Sequence, residues 1–177
     1  MRHRTAILPL LLFACGAPPT VSTTVQALPG NPGWQLQAEI RPSDQARGDN
    51  FGSAVALAGD TLVVGSPTSR GNRGAAYVFA RSGGTWAQQQ KFLPPDSYFD
   101  WFGNAVAVSE TGDTLAIAAK QSYVDDFCSG LVYLYGRSGA TWSLQGVVRP
   151  DPMCFGTFGD SVALSGNTLL VGSATEN

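Results

Sequence analysis

The chain repeats itself roughly every fifty residues, and that period constrains its fold more than any other feature. Trp34, Trp86 and Trp142 are spaced by 52 and 56 residues, and Phe51-Gly52, Phe102-Gly103 and Phe158-Gly159 by 51 and 56. Each Trp is followed eight residues on by a proline (Pro42, Pro94, Pro150), and each proline by the Phe-Gly pair nine, eight and eight residues later. Thr-Leu returns at 61, 114 and 168. A unit repeated in register folds one way each time and buries its apolar face against its neighbours.

Inside one unit the apolar residues alternate, which is the periodicity of a strand. The spacing predicts a first strand over 52–58, 103–109 and 159–165, and a second over 61–65, 114–118 and 168–172. A third runs over 74–80 and 130–136, and a fourth over 34–40, 86–92 and 142–148. Gly59-Asp60 and Gly166-Asn167 suit two-residue hairpin turns, where positive φ favours such residues. Tyr77 and Phe79 fall on one face of their strand, as do Tyr133 and Tyr135 on theirs. After residue 33 no window has the period of a helix. Four short antiparallel strands per unit, repeated radially, make a propeller blade. A solenoid is the other repeat architecture, but its repeats are usually shorter. The expected fold is therefore all-β: a partial, open β-propeller of four-stranded antiparallel blades, about two and a half of them within 34–177.

These motifs resemble the FG-GAP repeat: Phe51-Gly52-Ser53-Ala54-Val55, then Leu62-Val63-Val64-Gly65-Ser66-Pro67, then Gly74-Ala75-Ala76-Tyr77-Val78-Phe79. That repeat builds the seven-bladed propeller of integrin alpha chains and of many bacterial surface proteins. The resemblance implies a binding or structural module, and a fold of this kind does not by itself fix a function. Calcium-binding members expand the first hairpin into an Asp/Asn-rich loop. Here the corresponding places hold Ala58-Gly59-Asp60, Glu110-Thr111-Gly112-Asp113 and Gly166-Asn167. One or two carboxylates cannot supply the six to eight oxygens that Ca²⁺ takes. No metal, no cofactor and no integrin-type metal-dependent adhesion is expected. Since two full blades and a half do not close a propeller, the sequence reads as a fragment, with assembly from several short chains as the alternative.

Residues 1–14 read as a lipoprotein signal peptide. Arg2, His3 and Arg4 precede the ten apolar-rich residues 5–14, too few to span a bilayer. They lead directly to Cys15, whose setting Leu12-Phe13-Ala14-Cys15 resembles a lipobox, so Cys15 is the expected lipidation site and the membrane the expected partner through that anchor. Residues 15–33, rich in Pro, Thr and Gly, read as a flexible tether. Gly16 after the Cys points to the outer membrane if the host is Gram-negative. Cleavage would also remove His3, the only histidine, which excludes His-based triads and His-ligated zinc in the mature chain. Net charge is −2 with no basic block, so nucleic acid is not an expected partner.

No catalytic residue is assigned, and the expected protein is not an enzyme. Gly159-Asp160-Ser161 is similar to the start of an esterase motif, but Ser161 sits inside a repeated strand position with no histidine to activate it. Gly83-Gly84-Thr85-Trp86 and Gly139-Ala140-Thr141-Trp142 are similar to the tail of a sialidase Asp-box, with Arg81 and Arg137 where its Asp would fall. An aromatic and acidic face is the candidate binding surface: Tyr98, Trp101, Tyr123, Asp125, Asp126 and Phe127, in the loops between second and third strands and between blades. A protein or glycan ligand suits it; packing of those rings onto the blades is the alternative role. Cys128 and Cys154 lie in the same loops, and an exported compartment permits their disulfide. Such a bond would contribute about 3–4 kcal/mol. The expected function is a non-enzymatic cell-envelope lipoprotein. The alternative is a fragment of an exported propeller enzyme whose catalytic residues lie in further blades.

Overall fold

The computed structural model describes residues 8–12, 26–28, 31–95, 101–124, 128–150 and 157–174, with side chains over 36–95, 101–120, 130–150 and 157–174. Strands β1 (Leu8–Leu12), β2 (Gln26–Leu28) and β3 (Asn31–Glu39) form a first sheet in the order β1-β3-β2. The second sheet is β4 (Ala54–Ala58), β5 (Thr61–Ser66), β6 (Ala75–Ser82) and β7 (Thr85–Phe92), in chain order. The third is β8 (Phe102–Val108), β9 (Thr114–Val124), β10 (Cys128–Ser138) and β11 (Thr141–Val148), again in chain order. The fourth pairs β12 (Phe158–Ser165) with β13 (Thr168–Ser173). All pairings from β4 onward are antiparallel. The second and third sheets are complete propeller blades and the fourth is the inner half of one.

The tight turns come where the sequence allows them. Gly59 and Gly166 adopt φ of 55° and 52° at the first position of their two-residue turns, the place of the glycine in a type II′ hairpin. Ser69–Asn72 forms a single turn (α1) between β5 and β6, left-handed at Arg70, Gly71 and Asn72. The third-to-fourth-strand hairpins repeat one another in detail. Each carries a bulge, after Val78 and after Leu134, and each stacks an arginine on its cross-strand tryptophan. The Arg81 guanidinium lies 5.3 Å from the Trp86 ring and that of Arg137 lies 5.5 Å from Trp142.

Alternation in the central strands buries both faces. In β5 and β6, Leu62, Val64, Tyr77 and Phe79 pack on one side with Ala38 and Ile40. On the other side Val63, Ala76 and Val78 meet Leu115, Ile117 and Tyr133 of the next blade. The opposite face of that blade, through Ala116, Ala118 and Val132, meets Phe158, Val162 and Leu164. Tyr77 with Phe79, and Tyr133 with Tyr135, therefore share a face as expected.

The Phe-Gly pair splices neighbouring blades. The Phe102 ring turns into its own blade, its centroid 5.4 Å from that of Tyr133, while its backbone lies on Gly74 of the blade before. A Cβ on Gly74 would fall 2.2 Å from the Phe102 carbonyl oxygen, and one on the equivalent Gly130 1.9 Å from that of Phe158. Only glycine allows that approach, and both residues also have positive φ.

The structure corrects two expectations, on the burial of the repeated Phe and on the loop placed over Tyr123 and Cys128. The shared repeat position sets one expectation for Phe51, Phe102 and Phe158, burial between blades; Phe102 is fully buried, but Phe51 and Phe158 are half-buried, because neither lies between two complete blades. Within 15–33, Gln26–Leu28 forms β2, and β3 begins at Asn31. The free N–H and C=O groups of a strand edge template such pairing, and the edges of β3 take β2 antiparallel and β1 parallel. Finally, Tyr123 and Cys128 belong to strands, not a loop, since β9 and β10 continue their pairing through Tyr123↔Ser129 and Val124↔Cys128.

Candidate functional site

Trp101 lies just before the Phe-Gly splice, at the position that Asn50 holds one repeat earlier. Both have left-handed backbones, with φ of 49° and 51°. Asparagine tolerates that conformation, whereas a bulky aromatic does so only when its surroundings impose it. Here they do. The Trp101 N–H donates to the Asn72 carbonyl at 3.1 Å, in the left-handed turn of the preceding blade, and the Phe102 N–H donates to that of Arg73 at 3.2 Å. The Trp101 carbonyl accepts from the Asn104 N–H at 3.0 Å.

The half-buried indole is approached by the Lys120 ammonium, 5.1 Å from the ring centroid. Lys120 ends the regular part of β9 and reaches across to β12, where its Nζ lies 3.3 Å from Asp160 Oδ1. Asn104 links the same elements, accepting from the Lys120 N–H at 3.1 Å and donating to the Gly159 carbonyl at 2.8 Å. The Thr157 hydroxyl and the Ala174 N–H both donate to Asp160 Oδ2. Burial pushes the Asp160 carboxyl up, but these donors and the Lys120 charge outweigh it and hold it below its ordinary value. Asp160 is thus a carboxylate near neutrality, an acceptor of hydrogen bonds and not a donor of protons. Together the ring, the ammonium and the carboxylate offer stacking and polar contacts on one side of the blades.

A related clamp secures the previous linker. Asp44 accepts from the Tyr77 hydroxyl at 3.1 Å and pairs with Lys91 at 2.5 Å. The Lys91 ammonium in turn lies 5.1 Å from the Tyr77 ring centroid. That tyrosine is at the centre of its blade's buried face, so this cluster is a fastening.

Of the residues expected on the binding face, Trp101 is placed with its side chain and Tyr123 by its backbone in β9. Tyr98, Asp125, Asp126 and Phe127 lie outside the described residues, as do Cys15 and Cys154, and so does the Cys128–Cys154 pairing. Lys120 and Asn104 were not singled out by sequence, and Asp160 only as part of the esterase-like motif. The signal that could have found them is the replacement, at one repeat position, of an Asn by a Trp whose conformation needs outside support. Ser161, of the esterase-like motif, stands exposed on β12. Among the described residues no three His, Cys, Asp or Glu side chains gather as a metal site.

Stacked four-stranded blades joined by Phe-Gly splices define a propeller-repeat protein. Residues 34–79 match the family model of the FG-GAP repeat. That match begins on β3 and ends on β6. No curated protein matches the chain.

Proposed function

We propose that the chain is a non-enzymatic lipoprotein of the cell envelope that displays FG-GAP repeats as a binding module, with the loop face around Trp101 engaging a protein or glycan ligand. Residues 1–14 direct export and are removed, Cys15 carries the lipid, and in a Gram-negative host the outer membrane is the destination. The observation that carries the binding reading is the left-handed Trp101, a conformation that costs about 1–3 kcal/mol and that the neighbouring repeat avoids with Asn50. A conformational cost kept at one surface position is reasonable where the ring has work to do there. Asp160 and Lys120 flank it with fixed charges suited to hydroxyl and amide groups.

The test compares wild type with Trp101→Asn, which keeps the backbone conformation and removes the ring. On a glycan array and against immobilised envelope proteins, wild type is expected to bind at least one ligand class and the variant to lose it. The variant should also be as stable as wild type or about 1 kcal/mol more stable. A variant that binds like wild type removes Trp101 from the site. Labelled palmitate that enters the chain, and fails to enter Cys15→Ser, checks the anchor.

A further inference from the structure

We infer, resting on the binding reading above, that the ligand of the loop face around Trp101 is an acidic glycan: one sugar ring stacks on the indole while a carboxylate of the glycan is held by Arg70 and Arg73.

The turn α1 connects the second and third strands of the second sheet, and it brings Arg70 and Arg73 to the backbone of Trp101. Its Asn72 and Arg73 carbonyls accept the Trp101 and Phe102 N–H groups, so turn and indole are fastened together. Both arginines are exposed, as is Arg47 in the loop alongside. That loop is tied to the turn by two hydroxyls: Thr68 donates to the Gly48 carbonyl at 2.5 Å and Ser66 to the Asp49 carbonyl at 2.7 Å. Arg70, like Trp101, holds a left-handed backbone, with φ of 56°.

Among the described residues no hydrogen bond or ion pair engages the side chain of Arg47, Arg70 or Arg73. The arginines of the third-to-fourth-strand hairpins differ. Arg81 pairs with Asp60 and Arg137 donates to Gly139 and Thr61, each while stacked on its tryptophan. The carboxylates of the described loops around Trp101 are already engaged: Asp44 by Lys91, Asp160 by Lys120, and the buried Asp49 by the Ala46 N–H. Asp100, Asp125 and Asp126 lie outside the described residues. The described part of the face therefore keeps a surplus of guanidinium groups, in a chain whose net charge is −2.

A guanidinium is a planar fork of donors that matches a carboxylate with two parallel hydrogen bonds. An indole at its side adds a flat apolar surface for a ring to lie on. A membrane surface fits less well, because Asp44 and Asp160 on the same face would meet its lipid phosphates, whereas sugar hydroxyls can donate to those carboxylates.

Titration calorimetry of the full chain with oligomers of galacturonate, mannuronate and glucuronate, each beside its uncharged methyl ester, tests this. Wild type is expected to bind at least one of the acids, and its ester about tenfold more weakly or worse. Arg70→Gln combined with Arg73→Gln should weaken the acid about tenfold and leave the ester unchanged, whereas Trp101→Asn should weaken both. Should the double variant fail to fold, Arg73→Gln alone reads the same contact. Asp100→Asn, which removes the carboxylate next to Trp101 in sequence, should bind the acid at least as tightly as wild type. The inference is overturned if wild type binds none of the acids, if an ester binds as tightly as its acid, or if the arginine variant binds as wild type does. Polyglutamate bound as tightly would mean that charge alone suffices, and phosphatidylglycerol vesicles bound more tightly would mean a membrane surface; either also overturns it. A neutral glycan or an envelope protein bound through Trp101 in place of the acids would sink the acidic ligand and leave the binding reading standing. Loss of the ring without effect on any ligand would sink both.

Discussion

At the scale of single residues, Phe102 and Asp160 show two ways of holding blades together. Phe102 is fully buried between two complete blades, so Phe102→Ala removes a core ring and should destabilise by about 3–5 kcal/mol, read from urea unfolding. Phe158→Ala, at the half-buried equivalent, should cost clearly less in the same experiment. Asp160 acts through charge. Its carboxyl is held below its ordinary value of 3.8 in the folded chain, so its stabilising share is complete above that value and is lost as the pH falls through the folded one. The melting temperature should therefore drop on acidification below about pH 4, and Asp160→Asn should make that drop shallower. Asp44, lowered by Lys91 and Tyr77 against the opposing effect of burial, adds to the same acid limb, so the variant should not abolish it. The burial of Phe102 was legible in the repeat. The Lys120–Asp160 pair was not, because it joins residues 40 apart whose side chains meet only once two blades are stacked.

Strands and turns were the most legible elements. Period-two alternation placed every strand of the two full blades, and the Gly-Asp and Gly-Asn pairs placed their turns, because positive φ and alternating burial are both written locally. The far halves of β9 and β10 were missed: Lys120-Gln121-Ser122-Tyr123-Val124 lacks an apolar alternation, and what extends it is pairing with a partner strand. β1 and β2 were missed for the same reason, since the edges of β3 recruit them. The turns also carry a prediction. Two of the first hairpins, with two-residue connections at Gly59-Asp60 and Gly166-Asn167, have no loop to wrap a cation. In the remaining one, over 109–113, Asp113 Oδ1 already accepts from the Ser109, Thr111 and Thr114 hydroxyls, leaving one or two carboxylates where six to eight oxygens are needed. Titration calorimetry with Ca²⁺ should show no stoichiometric micromolar event, and such an event would refute this reading of the hairpins.

On the scale of the whole molecule, stability should follow position in the stack. Each described blade touches only its neighbours, and such an array is stabilised by its interfaces one at a time. Amide exchange followed by mass spectrometry should be slowest in β5, β6, β9 and β10, where both faces are covered. It should be fastest in β12 and β13, whose outer face is bare. Uniform protection across all four sheets would show instead that the stack opens as one unit. The number of blades was legible from the spacing of Trp and Phe-Gly. Which faces remain uncovered was not, because that depends on how strands distribute between sheets.

The order of the strands has a kinetic consequence. From β4 onward each strand pairs only with its neighbours in the chain, so no sheet waits for a distant segment to arrive. Synthesis delivers about 5–20 residues per second, whereas a hairpin closes in about 1–10 μs. Each blade can therefore be complete long before the next one appears, and the only part that must wait is the face its successor will cover. Delivered N-terminus first, the chain needs no long-range search: it is built like a wall laid course by course, with the newest course always the one exposed.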